Sequence, residues 1–135
     1  MAGAKPVREQ GEAVIILSPL SGFVVLLLAH WVGDFVLQSQ WQAMNKSKRL
    51  DALALHVAIY SAVLLVAAVT LLGPWRGLLF TLANAALHFA TDFVTSRLTS
   101  RFWERQEWHR FFVMVGFDQF IHQATLAATL ALMLG

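Results

Sequence analysis

The 135-residue sequence has no cysteine and little charge: Asp, Glu, Lys and Arg together make up 13% of it. A soluble domain carries about 25%. Without cysteine, a disulfide scaffold and any thiolate metal site are excluded. With 58% hydrophobic residues and a mean hydropathy of +0.61, disorder and an ordinary water-soluble globule are excluded too. The formal net charge of +2 is small and poorly placed for nucleic acid, so none is expected as a partner. No segment shows the strict alternation of a membrane barrel strand. What remains is an all-α, polytopic membrane protein. Its length allows at most four or five spans of about 20 residues each.

Four apolar stretches are present, from about Val14 to Leu37, Leu50 to Leu72, Leu78 to Val94 and Phe111 to Leu134. The first is too long for a signal-peptide core, and Gln38-Ser39-Gln40 follows it rather than a small-residue cleavage site, so it reads as a permanent helix. The expected organisation is a tail over residues 1–12 and a four-helix transmembrane domain over 13–135. Asn45 to Arg49 joins the first two helices and Gly73-Pro74 turns the chain between the next two. Ser96 to Arg110 joins the last two, its first half continuing the third helix beyond the bilayer. The first and third connections hold Lys46, Lys48, Arg49, Arg97, Arg101, Arg105 and Arg110; the tail and the short turn hold Lys5, Arg8 and Arg76. This bias predicts a multi-pass protein of a bacterial inner membrane with both termini periplasmic.

An internal repeat runs through the chain. His30-Trp31-Val32-Gly33-Asp34-Phe35-Val36 and His88-Phe89-Ala90-Thr91-Asp92-Phe93-Val94 share the pattern His-x-x-x-Asp-Phe-Val. Each copy precedes a basic segment and a further helix, which carries His56 in one case and Asp118 and His122 in the other. The chain therefore reads as two parallel-repeat helical hairpins forming a bundle.

Seven ionisable side chains fall inside the apolar stretches: His30, Asp34, His56, His88, Asp92, Asp118 and His122. A lone Asp at mid-bilayer costs about 2.5–3.5 kcal/mol on insertion scales, so such groups are paired, hydrated or bound to something. His30/Asp34, His88/Asp92 and Asp118/His122 are each spaced i, i+4, which puts each pair on one helix face. All seven lie at similar depth, roughly 7–12 Å from the basic connections at 1.5 Å rise per residue. Neutral imidazole and carboxylate together suit Zn, Mn or Fe. The groups could hold two metals, or one metal with a spare Asp as base. His-Glu-x-x-His and Glu-x-x-His are both absent. Against this stands a plain structural use, in which each His–Asp pair only neutralises itself. Gln38 and Asn84 are candidate supporting donors, one turn from Asp34 and His88.

The run from His30 to Gln38, Asn45-Lys46-Ser47-Lys48, His56, His88-x-x-x-Asp92-Phe93-x-x-Ser96-Arg97 and Gly116-Phe117-Asp118-Gln119-x-x-His122 resembles a bacterial and phage membrane family catalogued as domain of unknown function 3307. The resemblance covers roughly Phe23 to Leu130. It implies a small polytopic inner-membrane protein with a shared His/Asp set, and it brings no settled activity. A looser likeness is to small membrane-bound metal-dependent hydrolases.

The leading expectation is a metal site near the cytoplasmic leaflet, with zinc favoured over Mn or Fe. His30, Asp34, His56, His88, Asp92 and His122 are the candidate ligands and their orienting partners, and Asp118 the candidate catalytic base. Such a site could hydrolyse a lipid-linked ester or phosphoester, with membrane lipids as surroundings and a lipid phosphate as substrate. The competing expectations are a proton- or ion-coupled transport element, which needs a homodimer, and an accessory subunit of a larger membrane complex.

Overall fold

The computed structural model describes residues 18–135. The tail expected over 1–12, and 13–17 of the first expected span, lie outside the described residues. All regular structure among the described residues is helical. Helix α1 (Pro19–Trp31) starts where the Ser18 hydroxyl accepts the Ser21 N–H at 3.1 Å, with Pro19 in the first turn. It runs directly into a π-helical turn, Val32–Val36, closed by the Leu37 N–H donating to the Val32 carbonyl at 2.9 Å. A short helix α2 (Gln40–Asn45) follows, where the sequence reading has only a connection. Ser39 and Gln42 explain it: the Ser39 hydroxyl accepts the Gln42 N–H and the Gln42 side chain accepts the Ser39 N–H, a reciprocal cap.

Helix α3 (Leu50–Leu72) matches its expected span. Gly73 ends it with φ of 81°, a left-handed conformation that suits glycine, and Pro74 opens α4 (Pro74–Glu104). Helix α4 has 31 residues and rises about 46 Å, well beyond a hydrocarbon layer of about 30 Å. It absorbs the first part of the third connection, as expected. Helix α5 (Trp108–Leu134) completes the chain.

Three helical segments are long and apolar enough to cross a membrane: Pro19–Val36, Leu50–Leu72 and Pro74–Glu104. The fourth expected span, α5, has the length but not the apolarity, because Asp118, Gln119, His122 and Gln123 crowd its middle. The two His-x-x-x-Asp copies also differ locally. The first ends inside the π-turn and the second lies within regular α4.

Helix α3 packs against α1 and α4, and α5 against α4 and α1, which closes a bundle. Its core divides along its length. Toward the Gly73 turn it is apolar, built from Leu26, Tyr60, Leu64, Ala68, Phe80, Leu126 and Leu130. Toward the basic connections the buried residues include the polar set His30, Asp34, His56, His88, Asp92 and His122, beside apolar Ala52, Leu53 and Val57. The outer surface is studded with exposed Leu20, Val24, Leu28, Val66, Leu82 and Leu132, the pattern of a lipid-facing surface. Asn84 serves the apolar half rather than the His/Asp cluster, donating to Thr129 Oγ1 across α4 and α5 at 2.8 Å.

Closure of the α3–α4 hairpin depends on Gly77. A Cβ there would stand 2.6 Å from the Val69 backbone and 2.8 Å from that of Ala68, neither of which can swing aside. Gly77→Val is therefore expected to destabilise the bundle by about 1–3 kcal/mol in a denaturant titration in detergent. Gly22→Ala, with nothing within 4 Å of the added Cβ, should leave the midpoint nearly unchanged.

Candidate metal centre

Each element brings one or two groups to the polar half. The α1 register places His30, and the π-turn places Asp34. Such turns are frequent at functional sites because the extra residue re-aims a side chain. Gly33, beside Asp34, lets the turn approach α3: a Cβ there would lie 3.0 Å from Tyr60 Cα. Helix α3 contributes His56, α4 contributes His88 and Asp92, and α5 contributes Asp118 and His122.

The side chains converge on two carboxylates. His56 Nε2 donates to Asp34 Oδ1 at 3.0 Å, and His122 Nε2 to Asp92 Oδ1 at 3.0 Å. Each aspartate thus accepts from a histidine of the helix that follows its own copy of the motif. The Asp92 Oδ2 atom lies 3.3 Å from His56 Nε2 and 3.7 Å from His88 Nε2. His88 Nε2 is also 3.4 Å from Asp34 Oδ1, and the His56 and His88 Nε2 atoms are 3.3 Å apart. The His88 ring is held in place by stacking. Tyr60 lies on one side and His122 stacks as well, each with ring centres 4.0 Å away and planes tilted by 20°.

Four atoms therefore share one point: Asp34 Oδ1, His56 Nε2, His88 Nε2 and Asp92 Oδ2. All lie within 4.8 Å of one another. The five separations just given run from 3.0 to 3.7 Å. A tetrahedral ion with ligands at roughly 2.0–2.1 Å has edges of about 3.3–3.4 Å, so the donor set fits a zinc-like ion. Its two imidazoles and two carboxylates are also the chemistry such an ion accepts. The Nδ1 atoms of His30, His56 and His88 are buried without a hydrogen-bond partner. The polar capacity of these rings is directed inward.

The other predicted residues surround this point. His30 is not one of the four; its Nε2 donates to Gln119 Oε1 at 3.1 Å and lies 3.7 Å from Asp34 Oδ2. Asp118 accepts the Thr95 hydroxyl at 2.5 Å and lies 3.3 Å from His122 Nε2. Asp34, Asp118 and His122 form a second group with ligand atoms within 4.8 Å. Gln38 stands on the wall of the adjoining cavity. That cavity, of about 230 Å³, is lined by Asp34, Asp92, Asp118, Lys46 and Gln119 together with apolar Phe35, Phe111 and Val115.

Two further participants escape a reading by residue type. Lys46, counted in the sequence as one of the basic-loop charges, turns inward and donates to Asp92 Oδ2 at 2.8 Å. Burial opposes its charge, but the Asp92 and Asp34 carboxylates outweigh that and raise its pKa above the ordinary lysine value. Its ion-pair contribution is therefore present throughout the neutral range and is lost only as pH rises through that raised pKa. Gln119 bridges two carboxylates, donating to Asp34 Oδ2 and Asp118 Oδ2, both at 3.0 Å. Both residues stand inside the motifs that carry the family resemblance, which was the available signal.

The family described as "Protein of unknown function (DUF3307)" matches residues 23–134. The chain belongs to the DUF3307 family. No curated protein matches the chain, and no solved structure does. The likeness to membrane-bound metal-dependent hydrolases finds no counterpart in these comparisons.

Removing one partner from a buried ion pair leaves the other uncompensated. Asp92→Ala strips the acceptor from Lys46 and His122 and is expected to cost about 3–5 kcal/mol of stability in the metal-free protein. Lys46→Met combined with Asp92→Ala should recover part of that loss, which a double-mutant cycle in detergent would measure.

Proposed function

We propose that this DUF3307 protein is a metal-dependent hydrolase of the bacterial inner membrane, acting on a lipid-linked ester or phosphoester. The observation that carries this reading is the four-atom convergence of Asp34, His56, His88 and Asp92 at tetrahedral spacing, beside a cavity with both carboxylate and apolar walls. The fold proposed with it keeps α5 as a fourth span, its polar middle turned into the bundle. It keeps the two-hairpin arrangement, the basic connections on the cytoplasmic side and the termini in the periplasm.

His56, His88 and Asp34 would hold a zinc-like ion; with Asp92 paired to Lys46 one position would stay open toward the cavity, and with Asp92 as a fourth ligand an open position would require five-coordination. A divalent ion in such a site lowers the pKa of water and polarises an ester or phosphoryl oxygen. His30 and Gln119 orient Asp34, and Thr95 orients Asp118. With a single ion bound, Asp118, on the cavity wall, would be the base toward the attacking water. Phe35, Phe111 and Val115 offer an apolar side for an acyl or prenyl chain.

A transport path needs polar continuity across the bundle. Above His88 the buried core holds Leu26, Leu64, Phe80 and Leu126, with Thr81, Asn84 and Thr129 as its polar members and no ionisable group but Tyr60, which favours a one-sided site over a proton relay. A homodimer or a larger membrane complex is compatible with the site and not required by it.

The reading predicts tightly bound zinc in protein purified without chelators, lost in His56→Ala/His88→Ala. It also predicts chelator-sensitive hydrolysis of a chromogenic phosphodiester or ester lipid in nanodiscs. Asp118→Asn should retain the metal and lower that rate by about 10²–10⁴-fold. Absence of metal after zinc add-back would overturn the proposal.

A further inference from the structure

Asp34 and Asp92 each present their two oxygens to different neighbours. Asp92 gives Oδ2 to the His56/His88 point, while Oδ1 accepts from His122 at 3.0 Å. Asp34 gives Oδ1 to the same point, while Oδ2 faces Gln119 at 3.0 Å and His30 at 3.7 Å. A carboxylate divided in this way is arranged as a bridge. On its far side stands the second group, Asp34, Asp118 and His122, with Asp118 Oδ1 3.3 Å from His122 Nε2. We infer that this group is a second divalent-metal position, bridged to the first by Asp34, and that it fills together with a phosphate group in the cavity.

The coupling follows from charge. Asp34, Asp92 and Asp118 against Lys46 leave two negative charges when the histidines are neutral, as ligating imidazoles are. One divalent ion cancels them. A second leaves two positive charges in a site closed on one side by apolar core, which is costly without a counter-anion. A phosphate ester dianion supplies that charge. The cavity that would receive it touches Asp34, Asp92, Asp118 and Lys46, and two-metal sites with ions about 3.5–4 Å apart clamp phosphoryl oxygens in this manner. Ser96, 8% exposed, lines the same cavity with an Oγ that has no hydrogen-bond partner, as does the Gln38 side-chain oxygen. The Ser96 hydroxyl can donate to an oxygen-rich ligand, whereas the Gln38 oxygen can only accept.

The inference rests on the proposed metal site and narrows its substrate class to phosphomonoesters. The test is Mn²⁺ binding to chelator-stripped protein in nanodiscs, by equilibrium dialysis and electron paramagnetic resonance, with and without inorganic phosphate. The expected result is one equivalent alone, and two equivalents with a spin-coupled signal when phosphate is present. Asp118→Asn and His122→Asn should each lose the second equivalent and keep the first. One equivalent at saturating phosphate, or a second that survives in both variants, would overturn the second position while leaving the first site standing. No binding of either Mn²⁺ or Zn²⁺ to the wild type under any condition would overturn the metal site itself. Vesicles of phosphatidic acid in place of phosphate separate a lipid headgroup from a free anion: either promoting the second equivalent supports the inference.

Discussion

The structure depends on the neutralisation of Asp34 and Asp92 inside the bundle. Each is at most 3% exposed, in a chain whose outer surface is suited to lipid. An unpaired carboxylate in that setting is among the most costly groups a helix can carry. Every nearby feature answers that cost. His56 and His122 donate from the following helices, Lys46 folds back from the basic connection, and Gln119 spans Asp34 and Asp118. The polar half of the core thus acts as one network tying all the long helices and the α2–α3 connection together.

Such a network has two ways to balance its charge: protons and Lys46, or a divalent ion. The arrangement accommodates the ion. Hydrogen-bonded pairs alone would be satisfied by one histidine per carboxylate oxygen, spread apart. Here two imidazole nitrogens share two carboxylate oxygens, and the nitrogens themselves approach to 3.3 Å. Two ring N–H groups so placed would oppose each other; one N–H facing one lone pair makes a hydrogen bond, and two lone pairs accommodate a cation between them. The apolar half above, closed by Leu64, Phe80 and Leu126, keeps the site one-sided and leaves access through the cavity near the basic connections.

Much of this was legible in the sequence because apolar surroundings make polar residues conspicuous. The spacing of His30/Asp34, His88/Asp92 and Asp118/His122 put each pair on one face, and their common depth implied a single cluster. The boundaries of α3 and the break at Gly73-Pro74 followed from hydropathy and turn chemistry. Three features were not legible. The π-turn at Asp34 arises from tertiary contact between Gly33 and Tyr60, which no local pattern encodes. Helix α2 depends on the reciprocal Ser39/Gln42 cap, a pairing of side chains with backbone that hydropathy does not register. Lys46 read as an interfacial charge because residue type alone cannot tell which way a loop lysine turns. The apolarity of α5 was overread because its polar residues were assigned to the site without being subtracted from the span.

The central claim is that Asp34, His56, His88 and Asp92 enclose a metal ion rather than merely neutralise one another. X-ray absorption at the zinc edge of protein loaded with one equivalent in nanodiscs tests it most directly. The account predicts four to five nitrogen and oxygen neighbours at about 2.0–2.1 Å with the outer-shell scattering of two imidazoles, reduced to one in His88→Ala. A shell without imidazole scattering, or one unchanged in that variant, would contradict it.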